Sequence, residues 1–221
     1  MKKKIFKTVF VAALTLMLFG CVIKQEIYFN KDFSGRYKYT FDFTEYISYM
    51  GGGEEETDDS LMMKNEDFEE YLSYVKKELK NISGISDIKI FNDADNGTVY
   101  FSYNFANVDA LNAAMKFSSL MALEPVENAP YFNAKKKSLT YIRHATPKEE
   151  TEESEEGGED TDYMNDFFRW EFVLEFEADV KKFDVQKDTM LTISNNNKTF
   201  VENGNIFNVA EKESKWVFKT K

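Results

Sequence analysis

The sequence predicts an α+β domain, two helices packed on largely antiparallel β-sheet with a C-terminal β-meander. Three observations carry that expectation. Aromatic and β-branched residues alternate with polar ones over many short runs, as half-buried strands require. Two stretches instead repeat their apolar residues every three or four positions, the spacing of a helix with one buried face. Turns rich in Asn, Asp and Gly separate the runs. The one-sided alternation also implies that each sheet keeps a wet face.

The chain begins differently. Met1 to Lys7 hold four lysines, and an apolar run from Val9 to Phe19 follows, broken only by Thr15. A charged start and a short apolar core are the layout of a secretory signal peptide, and the run is shorter than the roughly 20 residues that a spanning helix needs. Leu18-Phe19-Gly20-Cys21 closes it. This quartet resembles the lipobox of bacterial lipoproteins, with Phe19 bulkier than usual at its place. The resemblance implies cleavage before Cys21, a thioether-linked diacylglycerol on its sulfur and an amide-linked acyl chain such as palmitate. Several acyl chains make a stable anchor. It also implies a place in the cell envelope, at the outer membrane by preference, because Val22 and Ile23 follow the cysteine where an aspartate would favour inner-membrane retention.

Strands are expected at Ile23–Phe29 and Arg36–Phe43, the second with Tyr37, Tyr39, Phe41 and Phe43 on one face. Asn30 to Gly35 between them make a hairpin, with Gly35 supplying positive φ. Phe68, Tyr71, Leu72, Val75, Leu79 and Ile82 then recur at helical spacing behind a capping Asn65, and Gly84 ends that helix. Strands at Asp87–Phe91 and Thr98–Phe105 flank an Asn96-Gly97 turn. Asn107 caps a second helix running to about Met121. A short hairpin, Tyr131–Ala134 and Ser138–Arg143, follows Pro125 and Pro130. Phe168 to Phe176 is the clearest strand, and shorter ones are expected near 189–194, 198–202, 205–209 and 215–220. After Cys21, the strand, Asp32-Phe33-Ser34-Gly35, strand pattern is similar to uncharacterised envelope lipoproteins of the mycobacterial LppM type, as are Phe176 to Phe183 and a late strand with Trp216. That resemblance implies architecture and an envelope role, and carries over no functional residue.

Residues 21–221 are long enough for one well-packed domain. Its acidic stretches, Gly51–Asp59 and Glu149–Asp162, lack any apolar residue and are expected as mobile loops at about 51–65 and 146–163. Loss of residues 1–20 takes away four lysines and moves the formal charge from −11 to −15. That charge argues against nucleic acid as a partner and against adsorption to anionic lipid.

The residue inventory narrows the chemistry. His144 is the sole histidine and Cys21 the sole cysteine, so neither a nucleophile with its base nor a common zinc site can be assembled. Neither acidic stretch has the spacing of an EF-hand loop. Gly51 to Gly53 run into glutamates that would repel a phosphate. Carboxylate-based hydrolysis stays formally open, but 39 acidic residues nominate no pair. No catalytic residue, metal or cofactor is therefore assigned. The unusual quantity is aromatic content, 21 Phe, 12 Tyr and 2 Trp. A β-rich core accounts for most of it. Two binding explanations compete for the rest. One is a cavity for a lipid or other apolar ligand, lined by Phe41, Met115, Phe168, Trp170 and Phe172. The other is a protein- or glycan-binding face with exposed Tyr46, Tyr49 and Tyr74. The expected function is a membrane-anchored, non-enzymatic binding domain.

Overall fold

The computed structural model describes residues 21–44, 66–93, 95–117, 131–144, 168–185, 191–205 and 213–221, with backbone alone at Asp67, Phe168 and Asn205. The signal-peptide segment, Asn65, Tyr46, Tyr49 and both acidic stretches lie outside the described residues.

The fold class is as the patterning predicts. Among the described residues, eleven strands form two sheets, and two helices pack with them. A seven-stranded sheet has the order β3-β4-β2-β1-β7-β10-β9. Its strands are β1 (Cys21–Phe29), β2 (Gly35–Asp42), β3 (Ile85–Asp93), β4 (Thr98–Phe105), β7 (Phe168–Phe176), β9 (Leu191–Ser194) and β10 (Thr199–Asn205). A four-stranded sheet has the order β5-β6-β11-β8, from Tyr131–Lys135, Ser138–Arg143, Ser214–Thr220 and Val180–Val185. The C-terminal strands thus divide between the sheets, with β9 and β10 pairing as a hairpin beside β7 while β8 and β11 pair in the smaller sheet. Val180–Val185, the strand missing from the sequence-based expectations, has a buried Val180 followed by four exposed residues, so no alternation marks it.

β1 is central. It pairs antiparallel with β2, from Val22 opposite Asp42 to Phe29 opposite Gly35, and parallel with β7, from Cys21 opposite Phe168 to Phe29 opposite Phe176. Cys21 is itself the first residue of β1, so no tether separates it from the sheet.

The β1–β2 turn corrects one expectation. Phe33, not Gly35, takes positive φ, at 61°. The Asp32 carboxylate accepts from the Ser34 backbone N–H and hydroxyl at 3.0 and 2.7 Å, and Phe33 tucks its buried ring edge-on to Phe29. Gly35 is needed for space instead, because a Cβ there would stand 1.8 Å from the Tyr28 carbonyl oxygen. Gly84 (φ 87°) and Gly97 (φ 67°) do occupy the left-handed region, closing the first helix and the β3–β4 hairpin.

The first helix, α1 (Glu66–Asn81), buries Phe68, Tyr71, Leu72, Val75 and Leu79, the expected stripe, and lies against β3. The second, α2 (Val108–Met115), is capped by Asn107, whose side-chain oxygen accepts from the Ala110 N–H at 2.9 Å. Asn112 on α2 then acts as a strand partner. Its amide donates to the Phe132 carbonyl at 2.8 Å and accepts from the Phe132 N–H at 2.7 Å, closing the free edge of β5.

The helices cover the β3-β4 side of the large sheet, and the small sheet covers the side built on β1, β7 and β10. Ring contacts mark that second interface, with Tyr141–Phe172 at 4.8 Å, Phe176–Phe218 at 5.0 Å and Phe29–Phe132 at 5.3 Å between centroids.

Candidate functional site

Of the residues proposed to line an apolar cavity, Phe41, Met115 and Phe172 belong to the core, and Trp170 shares the inward face of the large sheet. In-register partners point the same way from a sheet. One row across the large sheet therefore runs Val99, Phe41, Ile23, Trp170, and the next runs Phe101, Tyr39, Gln25, Phe172, Glu202. Phe41 packs edge-on to Phe43 at 4.0 Å, and Phe172 stacks on Tyr141 and also meets Trp170 and Trp216. Phe41, Met115 and Phe172 are buried, and Trp170 is half-buried. Met115 comes from α2. Phe168 starts β7 opposite Cys21, and its side chain lies outside the description. Ring lies against ring among these residues, the dense packing of a protein interior.

What sequence inspection missed in this core is charge. Arg143 of β6 and Glu202 of β10 are 7 % and 4 % exposed, and they meet between the sheets as a two-pronged ion pair at 2.8 and 3.0 Å. Arg143 also donates to the Ser214 hydroxyl at 2.9 Å. Burial pulls the guanidinium pKa down, but the Glu202 hydrogen bond, the Glu202 charge and the neighbouring Tyr141 together leave it raised and the group charged. The neighbouring Tyr141 hydroxyl is pushed far up by burial and stays neutral. A signal was present. Leu139, Tyr141, Arg143 and Phe200, Glu202 place two opposite charges on the apolar parity of two strands.

The open side of the large sheet offers a different surface. A concavity of about 630 Å³ is walled by residues of β1 to β4 and β7, and a second of about 590 Å³ adjoins it through Tyr28, Arg36 and Asn104. Both signs of charge face the first. Lys24 bridges Glu26 at 3.3 Å and Glu171 at 3.0 Å beside it, and Lys89 pairs with Asp87 at 3.4 Å. Burial lowers the Lys24 pKa, but the Glu171 hydrogen bond and both carboxylates leave it raised. Lys38 lies over the Tyr100 ring at 5.0 Å, and neither it nor Arg36 pairs with a carboxylate among the described residues. Tyr28 and Tyr100 supply amphipathic walls. This arrangement can hold a polar ligand through charge, hydrogen bonds and ring faces together.

No protein-family model matches the chain, and no curated protein matches it. A solved structure is similar in outline. It is the NMR structure of the folded domain of the Mycobacterium tuberculosis LppM protein, with a TM-score of 0.45 at 9 % identity over 92 % of this chain and 91 % of that one. At that level the likeness bears on no residue or activity.

His144 follows the last residue of β6, exposed, with its ring 5.7 Å from Tyr131. Among the described residues no three His, Cys, Asp or Glu side chains converge as metal ligands, and no helix is long and apolar enough to cross a membrane. The Asp93 carboxylate accepts from both nitrogens of Asn96, a turn contact in the β3–β4 hairpin. Tyr74 is exposed, 41 % open on α1 with Phe117 beside it at 6.1 Å.

Proposed function

We propose that the chain is an envelope lipoprotein, held to the outer membrane through lipid on Cys21, whose domain is a non-catalytic binding module. The outer face of the seven-stranded sheet is its binding surface. One observation carries this reading, the 630 Å³ concavity in which Arg36 and Lys38 stand without carboxylate partners among the described residues. A polar ligand or envelope partner bearing an anionic group suits it, since Arg36 and Lys38 can meet such a group while Glu26 and Glu175 of the same wall accept from its hydroxyls. The order of Lys-rich start, apolar run and Cys21 supports the anchor.

The single native cysteine makes a clean test. With Cys21 acylated, Ser102→Cys in the concavity adds one reactive thiol, and Ser73→Cys on the exposed side of α1 is its control. A membrane-permeant maleimide should label both in the purified full chain. In intact envelopes the position 102 thiol should be shielded while the position 73 thiol still reacts. Equal labelling of the two in envelopes contradicts an occupied outer face.

A further inference from the structure

A second surface stands at the far end of the molecule from Cys21. At that end the outward row of the small sheet reads Lys135, Ser138, Lys219, Lys182 across all four of its strands, because Lys135 is opposite Ser138, Ser138 opposite Lys219, and Lys219 opposite Lys182. Lys137 and Lys181 join them around a recess of about 400 Å³. The recess lies beside the β7–β8 connection, since the Thr220 N–H donates to the Lys137 carbonyl and the Lys221 N–H to that of Asp179. β1 and β7 end there, at Phe29 and Phe176, whereas they start at Cys21 and Phe168. Nine residues of β1 separate the two ends, roughly 26 Å at the rise of a strand.

Five lysines in one recess are unexpected on a chain of net charge −11. Like charges directly opposite on neighbouring strands destabilise a sheet, as Lys219 and Lys182 must. None of the five makes an ion pair, among the described residues. Asp184, in the next row of the same face, is not paired with them either, and Asp179 is engaged by Lys198 and Lys221. At physiological salt, charges more than about 8–10 Å away are largely screened, so among the described residues a ligand in the recess meets chiefly the five lysines, with Asp184 the acid nearest on the same face.

We infer that this recess binds a linear anionic polysaccharide. Neighbouring strands lie about 4.8 Å apart, so Lys135 and Lys219 stand about 10 Å apart, with the Ser138 hydroxyl between them to serve sugar hydroxyls. Ammonium groups on flexible stems act as point charges and do not require the planar geometry that a guanidinium reads. The lining offers no aromatic face for a nucleic-acid base to stack on, and no apolar side chain to enter a bilayer. A recess also fits a chain better than a flat lipid surface.

The test passes the full-length chain, in phosphatidylcholine nanodiscs, over immobilised heparin oligosaccharide of defined size and over a phosphatidylglycerol bilayer. The heparin surface should retain it, more weakly as salt rises. Each Lys→Ala change at 135, 182 or 219 should weaken binding about fivefold, the worth of one basic group against an anionic surface. Lys182→Glu with Lys219→Glu should abolish it, while Lys76→Glu, exposed on α1 and outside both recesses, changes it less than about twofold. All these side chains are on the surface, so the fold is kept. No retention on heparin at about 50 mM salt, retention unaltered by the double reversal, or tighter binding to the bilayer at equal charge overturns the inference.

Discussion

The Arg143–Glu202 pair joins two sheets that otherwise meet through aromatic rings, and its removal gives a sharp stability test. Arg143→Met keeps the length and apolar stem of the side chain but leaves the Glu202 carboxylate 4 % exposed with both of its guanidinium contacts gone. Breaking one side of a buried pair costs about 3–5 kcal/mol, because the remaining charge stays desolvated. Ser214 loses a donor as well, at 2.9 Å in the intact protein. For a domain of this size each kcal/mol lowers Tm by about 2–4 °C, so the fall should be about 6–20 °C. Glu202→Leu alone should be comparably damaging, since it strands the guanidinium. The double change Arg143→Met with Glu202→Leu removes both charges and should recover most of the loss, coming within about 1–2 kcal/mol of the parent or exceeding it. Urea unfolding of all four chains gives the coupling free energy directly. A single variant within about 0.5 kcal/mol of the parent would refute the buried pair, and a double variant as unstable as the sum of the singles would refute the desolvation reasoning.

Three further expectations concern the same fold. Gly35→Ala puts a methyl group 1.8 Å from the Tyr28 carbonyl oxygen and 2.7 Å from the Phe105 ring, so it should cost at least about 3 kcal/mol by urea midpoint. Asn112→Ala removes both hydrogen bonds to Phe132 and should cost about 1–3 kcal/mol, with faster amide exchange along β5. Burial raises the pKa of Tyr39, Tyr103 and Tyr141, and pushes Tyr71 up to about 12, so these phenols bind their protons more tightly in the folded chain. Stability is therefore complete below about pH 10 and lost as pH rises towards and through the folded values, by about 1.4 kcal/mol per pH unit for each fully buried phenol. Absorbance of phenolate against pH should show these tyrosines ionising only as the chain unfolds; their titration near pH 10 with the fold intact would contradict their burial.

Much of the fold is legible from side-chain parity alone. Phe172, Leu174 and Phe176 on one face of β7, and Phe68, Leu72, Val75 and Leu79 on α1, announce their elements because burial and period coincide. β8 does not, since Lys181 to Asp184 are all exposed at the edge of a sheet, and even Phe183, edge-on to Phe200 at 5.3 Å, is 40 % open. The division of β7 to β11 between two sheets is equally hidden, because pairing partners depend on chain path and not on local pattern. Phe33 at φ 61° shows local chemistry losing to packing, the ring being drawn under Phe29 while Asp32 and Ser34 hold the turn. The surfaces were the least legible part. Arg36 and Lys38 read as the polar side of a strand, and Lys135, Lys182 and Lys219 are 84 residues apart at their widest, gathered only by the register of four strands.

The claim on which location and orientation depend is lipid on Cys21. Because Cys21 is the first residue of β1, an anchor there would hold the sheet end directly at the bilayer, with the lysine recess pointing away. Intact-mass measurement of the chain extracted from membranes tests this most directly. The account predicts a species that begins at Cys21, carries the added mass of two or three acyl chains, and is replaced by uncleaved, unacylated precursor in Cys21→Ala. A chain that retains residues 1–20, or one that begins at Cys21 with an unmodified, maleimide-reactive thiol, would contradict it.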